Sequence, residues 1–147
     1  DQGHQQTNPY YRYPENAPKA LKRQYEGYAW YRCTVKIPAS WKGHTIRLVG
    51  GPIDDCDWTY WNGTKIGETT FENNPKCYEA QRNYPIPDKL VKFGADNTLV
   101  IRVFDRWGGG GVTGPLKVIA EDAAASDSWS PYIDKLDFYD VDAFHNW

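Results

Sequence analysis

The chain has 147 residues, enough for one domain with a proper hydrophobic core. Its formal net charge of −2 offers no electrostatic attraction for nucleic acid or an anionic membrane, and its apolar stretches are far too short to span a bilayer. Aromatic residues make up 16%, with 7 Trp and 11 Tyr but no Met, more indole than one small core needs, so some rings are expected at the surface for binding.

The first thirty residues, rich in Gln, Asn, Pro and Tyr, read as an extended strap. Residue 1 opens a polar segment without a hydrophobic signal region, as expected for a mature form or an excised piece. Strands are predicted from Ala29 to Ile37 and from Thr45 to Val49. In the first, Tyr31, Cys33, Val35 and Ile37 face inward and Arg32, Thr34 and Lys36 outward, which makes Cys33 a core thiol. A third strand, Trp58–Trp61, meets Asn62-Gly63, a type I′ turn signal, and returns over Lys65–Gly67. Asn62-Gly63-Thr64 is also a glycosylation sequon, but the turn explains it better. A long loop over 68–83 holds Cys77 and Arg82 and leads to a single helical turn at Asp88–Lys92. Thr98–Asp105 is the clearest strand, with Leu99, Ile101 and Val103 inward, and Leu116–Glu121 is another. Many short strands between Gly, Pro and Asn turns, without a useful amphipathic helix, predict an all-β fold, an antiparallel β-sandwich. From Ala123 the tail alternates Asp with aromatic residues and either straps back over the sandwich or acts as a linker.

The most informative segment is Ile53-Asp54-Asp55-Cys56-Asp57-Trp58-Thr59-Tyr60-Trp61-Asn62-Gly63, where acids lead into an aromatic strand. Aromatic rings stack on the C–H faces of sugars and carboxylates accept hydrogen bonds from hydroxyls, so carbohydrate is the first ligand to consider. Alternation puts Trp58 and Tyr60 on one face and Thr59 and Trp61 on the other, with Trp61 expected half-exposed or under the strap. Asp57 has a second reading, a buried ion pair with Arg82 that pins the long loop, and this is favoured for Asp57, leaving Asp55 the better ligand candidate. Arg106-Trp107 before the glycines Gly108–Gly111 offers a ring platform with close access to backbone. A trio of acids also suits calcium, which would be structural. No metal site is otherwise expected, since the histidines are scattered and no Cys-x-x-Cys occurs. Cys56 and Cys77 sit in loop-like sequence and pair if those loops are neighbours; the alternative is two free thiols. No catalytic residues are assigned: there is no Gly-x-Ser-x-Gly, and the acids cluster in one loop instead of facing each other across a cleft.

An ordered set of motifs resembles the sugar-binding jelly-roll domain of family 2 glycoside hydrolases. It comprises Glu26-Gly27-Tyr28-Ala29-Trp30-Tyr31-Arg32, Ile37-Pro38, Leu48 to Asp55, Asp57 to Gly63 with Ile66-Gly67, Arg82 to Pro87, and Gly94 to Val103 with Asp105. The Gly108–Gly114 segment is most similar to the version inside sialate O-acetylesterases. The resemblance covers a core of about 26–130, flanked by an N-terminal strap (1–25) and a C-terminal strap or linker (131–147). It implies a galactose-binding-like sandwich acting as a non-catalytic module of a larger secreted, periplasmic or cell-surface enzyme of bacterial type. Its expected partners are a carbohydrate and the parent catalytic domain, with no cofactor, nucleic acid or membrane, and a monomeric state. The candidate binding residues are Asp55, Asp57, Trp58, Tyr60, Arg82, Tyr84, Arg106 and Trp107. The rival reading is an architectural sandwich without sugar affinity.

Overall fold

A computed structural model describes residues 27–106 and 110–121, and the backbone of strands at 132–133 and 137–140. It is an antiparallel β-sandwich of eleven strands among the described residues: β1 Gly27–Ile37, β2 Thr45–Gly50, β3 Ile53–Asp54, β4 Cys56–Trp61, β5 Thr64–Thr69, β6 Arg82–Ile86, β7 Ala95–Asp105, β8 Gly111–Val112, β9 Leu116–Glu121, β10 Tyr132–Ile133 and β11 Asp137–Asp140. One sheet runs β11-β1-β7-β4-β5, a second β10-β9-β2-β6, and β3 pairs with β8 at one end. The described residues contain no helix long and apolar enough to cross a membrane.

The spine is β1 against β7, which stay in register from Gly27↔Asp105 to Ile37↔Ala95. Alternation decides what each strand buries. Tyr31, Val35 and Ile37 of β1 and Leu99, Ile101 and Val103 of β7 meet Ile46, Leu48, Ile86, Leu116 and Val118 from the other sheet in one buried cluster. Cys33 is half-buried against that cluster, on the inward side of β1. Trp41 is enclosed just beyond the end of β1, in the short 3-10 turn Ala39–Trp41.

The β4–β5 hairpin turns at Asn62 (φ 47°) and Gly63 (φ 86°), as a type I′ turn requires. The Asn62 amide is fully used: Nδ2 donates to the Leu90 carbonyl at 2.7 Å and to Asn97 Oδ1 at 2.8 Å, and Oδ1 accepts from the Thr98 N–H. These bonds tie the turn to Leu90 and to the first residues of β7. The expected helical turn is a 3-10 turn at Asp88–Leu90.

The structure differs from the predicted elements in three places. The loop over 68–83 is shorter, because β5 extends to Thr69 and β6 begins at Arg82. β6 contains Pro85 and lies at the edge of its sheet, where a residue without an N–H is tolerated. Trp61 is fully buried in the core, not half-exposed, because Asp57, Thr59 and Trp61 form the inward face of β4. The tail returns to both sheets: β10 pairs with β9 and β11 with β1.

Gly67 permits a close approach between β5 and an aromatic ring of β6. A Cβ there would lie 2.2 Å from Cδ1 of the Tyr84 ring. That ring cannot retreat freely, since its hydroxyl is held by Asp57 and Thr69. Gly67→Ala is therefore expected to destabilise the fold by about 1–3 kcal/mol, read as a lower urea midpoint.

Candidate functional site

Two constellations stand at the β3–β8 end of the molecule, one buried and one open. The buried one is built on Arg82, the first residue of β6. Its Nε donates to Asp57 Oδ1 at 2.7 Å, and both side chains are 0% exposed. Nη1 donates to the carbonyls of Cys77 and Ala80, and Nη2 to those of Ile53 and Asp55. All five guanidinium N–H groups therefore have acceptors. Asp57 is equally saturated: Oδ2 accepts from the Thr59 hydroxyl at 2.6 Å, and the Tyr84 hydroxyl lies 3.1 and 3.0 Å from its two oxygens. The single Tyr84 proton faces this carboxylate, so Thr69, 2.7 Å away, donates to the Tyr84 oxygen. Burial pushes the Asp57 carboxyl above the usual carboxylate range, opposed by Arg82 and by the hydroxyls of Thr59 and Tyr84. Burial and the charge of Asp57 likewise push the Tyr84 phenol up.

This clamp corrects the expectation that Asp57, Arg82 and Tyr84 contact a ligand. Their polar atoms are enclosed and occupied by protein partners, as in the ion-pair reading of Asp57. Asp55 is also buried, at 7% exposure, and its Oδ2 accepts the Arg106 backbone N–H at 2.8 Å. Gly110 packs against Asp105, whose Cγ would lie 2.5 Å from a Cβ at that position, so this glycine admits a carboxylate of the protein itself. Among the described residues no group of three His, Cys, Asp or Glu side chains is placed to hold a metal ion. Cys56 and Cys77 are neighbours, both free thiols, with sulfurs 3.5 Å apart.

Asp54 stands beside the clamp and is half-buried. Burial first, then a hydrogen bond shared with Asp55 and the charges of Asp55 and Asp105, raise its carboxyl from 3.8 to about 7, while Arg82 opposes the rise.

The open constellation is a cleft of about 500 Å³ on the outer face of the first sheet, where that face meets the loop after β5. The register aligns Tyr28, Phe104 and Cys56 in one row and Trp30, Arg102, Trp58 and Glu68 in the next. Alternation keeps Tyr28, Trp58 and Phe104 outward and half-buried. The loop adds Thr70, Phe71, Glu72 and Asn73 as a facing wall. The Arg102 guanidinium lies 4.0 Å from the Tyr28 ring centroid and 5.2 Å from that of Trp58, bracing both rings. Arg106 is exposed, with its guanidinium 5.6 Å from the Phe71 ring. Tyr60 lies outside the cleft, one register step beyond Trp58 on the same face, stacked on Trp30 at 6.4 Å. Trp107 lies outside the described residues. Of the candidate ligands, then, Trp58 lines the cleft and Arg106 adjoins it through Phe71. Tyr28, Phe71, Phe104, Glu68 and Glu72 escape sequence reasoning. Alternation traced back along β1 and forward along β7 would have placed Tyr28 and Phe104 beside Trp58.

No family model matches the chain, and no curated protein matches it. Solved structures do. An α-L-rhamnosidase from Streptomyces avermitilis complexed with L-rhamnose is 18% identical with a TM-score of 0.61, over 78% of this chain and 10% of that one. A β-glucuronidase from Ruminococcus gnavus in complex with uronic deoxynojirimycin is 15% identical with a TM-score of 0.56, over 72% of this chain and 26% of that one. A glycosyl hydrolase family 2 member from Bacteroides cellulosilyticus is 22% identical with a TM-score of 0.55, over 69% and 14%. At these identities the likeness establishes a fold: a β-sandwich shared with one part of family 2 and other glycosidases. The chain corresponds to 10–26% of the length of these three enzymes.

Two outcomes follow. Arg82→Ala leaves the Asp57 carboxylate buried without its cation and should cost about 3–5 kcal/mol in urea denaturation. For Asp54, a folded-state pKa above the ordinary value means that its protonation favours the folded state. That stabilisation is complete below about 3.8 and is lost as pH rises through about 7. Asp54→Asn, which keeps a hydrogen-bond donor for Asp55, is expected to raise the melting temperature over the parent at pH 8 and to lose most of that advantage at pH 5.

Proposed function

We propose that this protein is a non-catalytic accessory domain of a larger secreted or cell-surface glycoside hydrolase, and that it contacts carbohydrate at the Trp58 cleft. The observation that carries the reading is the cleft itself. Half-buried rings of Tyr28, Trp58, Phe71 and Phe104 lie among Glu68, Thr70, Glu72 and Asn73, a combination that suits stacking on a pyranose with hydrogen bonds to its hydroxyls. Arg106, with its guanidinium 5.6 Å from the Phe71 ring, extends the candidate surface on that side, and Tyr60 extends it along the sheet. Asp57, Arg82 and Tyr84 serve it indirectly, by holding the loop that forms the far wall. The likeness to small parts of much longer glycosidases supports the accessory role. In this reading the protein acts as a monomer beside a catalytic domain.

Few stacking rings give modest affinity, about 4–6 kcal/mol, or dissociation constants from the high micromolar to the millimolar range. Titration with galactans, mannans, xylans and glucans, followed by tryptophan fluorescence and calorimetry, is expected to give a saturable response to at least one sugar, abolished by Trp58→Ala. A flat response across the panel would overturn carbohydrate binding and leave an architectural domain that docks on its enzyme.

A further inference from the structure

Cys56 and Cys77 are separated by 21 positions in the chain, yet their buried sulfurs are 3.5 Å apart. Cys56 is the first residue of β4 and lines the cleft. Cys77 opens the short 3-10 turn Cys77–Glu79, and its carbonyl accepts a 2.6 Å hydrogen bond from Arg82. The Arg82 clamp therefore delivers one sulfur to the other. A disulfide is about 2.05 Å long, so the two atoms need to approach by about 1.5 Å. Cys33 is no competitor. It lies five residues along β1 from Tyr28, the position in register with Cys56 through Phe104, a distance of about 16 Å along the strand.

We propose that Cys56 and Cys77 are a site of reversible disulfide formation that bolts the loop forming the cleft's far wall to β4. A low-molecular-weight disulfide such as oxidised glutathione supplies the oxidising equivalents. The thiolate of one cysteine attacks a sulfur of that disulfide, giving a mixed disulfide and releasing one thiol. The other cysteine's thiolate then attacks the protein sulfur of the mixed disulfide, forming the Sγ–Sγ bond and releasing the second thiol. Two protein thiols are oxidised, one small disulfide is reduced to two thiols, and the protons lost by the cysteines end on the released thiols. Burial pushes the Cys56 thiol up to about 12 and raises Cys77 as well, so little thiolate exists at neutral pH and the exchange is slow. The bond cross-links the segment that carries Thr70, Phe71, Glu72 and Asn73, and it forms whether or not the cleft binds sugar.

The test uses the full chain, as the parent and as Cys33→Ser, incubated with oxidised glutathione or with dithiothreitol. The expected oxidised product has lost two hydrogens, carries no glutathione, and yields on digestion a cross-linked peptide pair containing Cys56 and Cys77. Its melting temperature rises by something on the order of 10 °C and returns on reduction. A persistent glutathione adduct, a bridge involving Cys33, or two free thiols after a day in oxidised glutathione with enough urea to open the loop would overturn the proposal. Mass and peptide mapping on the parent chain carry the test even if a Cys56 or Cys77 variant fails to fold.

Discussion

The Asp57–Arg82 pair is the constraint on which this end of the sandwich depends. Two opposite charges are withdrawn from water, and neither is tolerable there alone. The solution is saturation: Arg82 satisfies four backbone carbonyls besides its carboxylate, and Asp57 collects two hydroxyls besides its cation. Those carbonyls belong to Ile53, Asp55, Cys77 and Ala80, so one side chain sets the relative positions of β3, the entry to β4 and the end of the long loop. An apolar side chain would fill the same volume, but it would leave those carbonyls without donors.

Saturation also explains why the polar residues lie inward on β4. Ordinary patterning sends Asp and Thr to solvent and a tryptophan to the core. Here Asp57, Thr59 and Trp61 share the buried face, and Trp58 and Tyr60 are displaced to the outside. The outward rings then cluster with Tyr28, Trp30 and Phe104, with Arg102 lying among the faces of Tyr28, Trp30 and Trp58. The aromatic surface and the buried clamp are two consequences of one choice of register.

This choice marks what was legible in the sequence. The β1 and β7 patterns, the Asn62-Gly63 turn and the inward sets of both strands could be read because each obeys one local rule. The pairing of Asp57 with Arg82 could also be read, since Arg82 is the cation placed to pin the long loop to the acidic strand. Which face of β4 is buried could not be read from β4 alone, because the answer lies in Tyr84 and Arg82 on β6, a strand disguised by Pro85. The cleft was hidden for a related reason. Its walls come from β1, β4, β7 and the loop after β5, and no single segment announces that Tyr28, Phe71 and Phe104 converge on Trp58.

The strands of the tail carry a consequence for association between molecules. β11 covers the outer edge of β1 over Ala29–Arg32, and β10 covers β9 at Leu116 and Lys117. The remaining outer strands are poor templates for foreign pairing: β5 is short, with Lys65 and Glu68 exposed, and β6 presents Pro85. A chain cut before residue 132 would bare an eleven-residue strand rich in aromatic and β-branched residues, with its hydrogen-bonding groups open along one side. The tail thus acts as a guard against edge-to-edge aggregation as well as a strap.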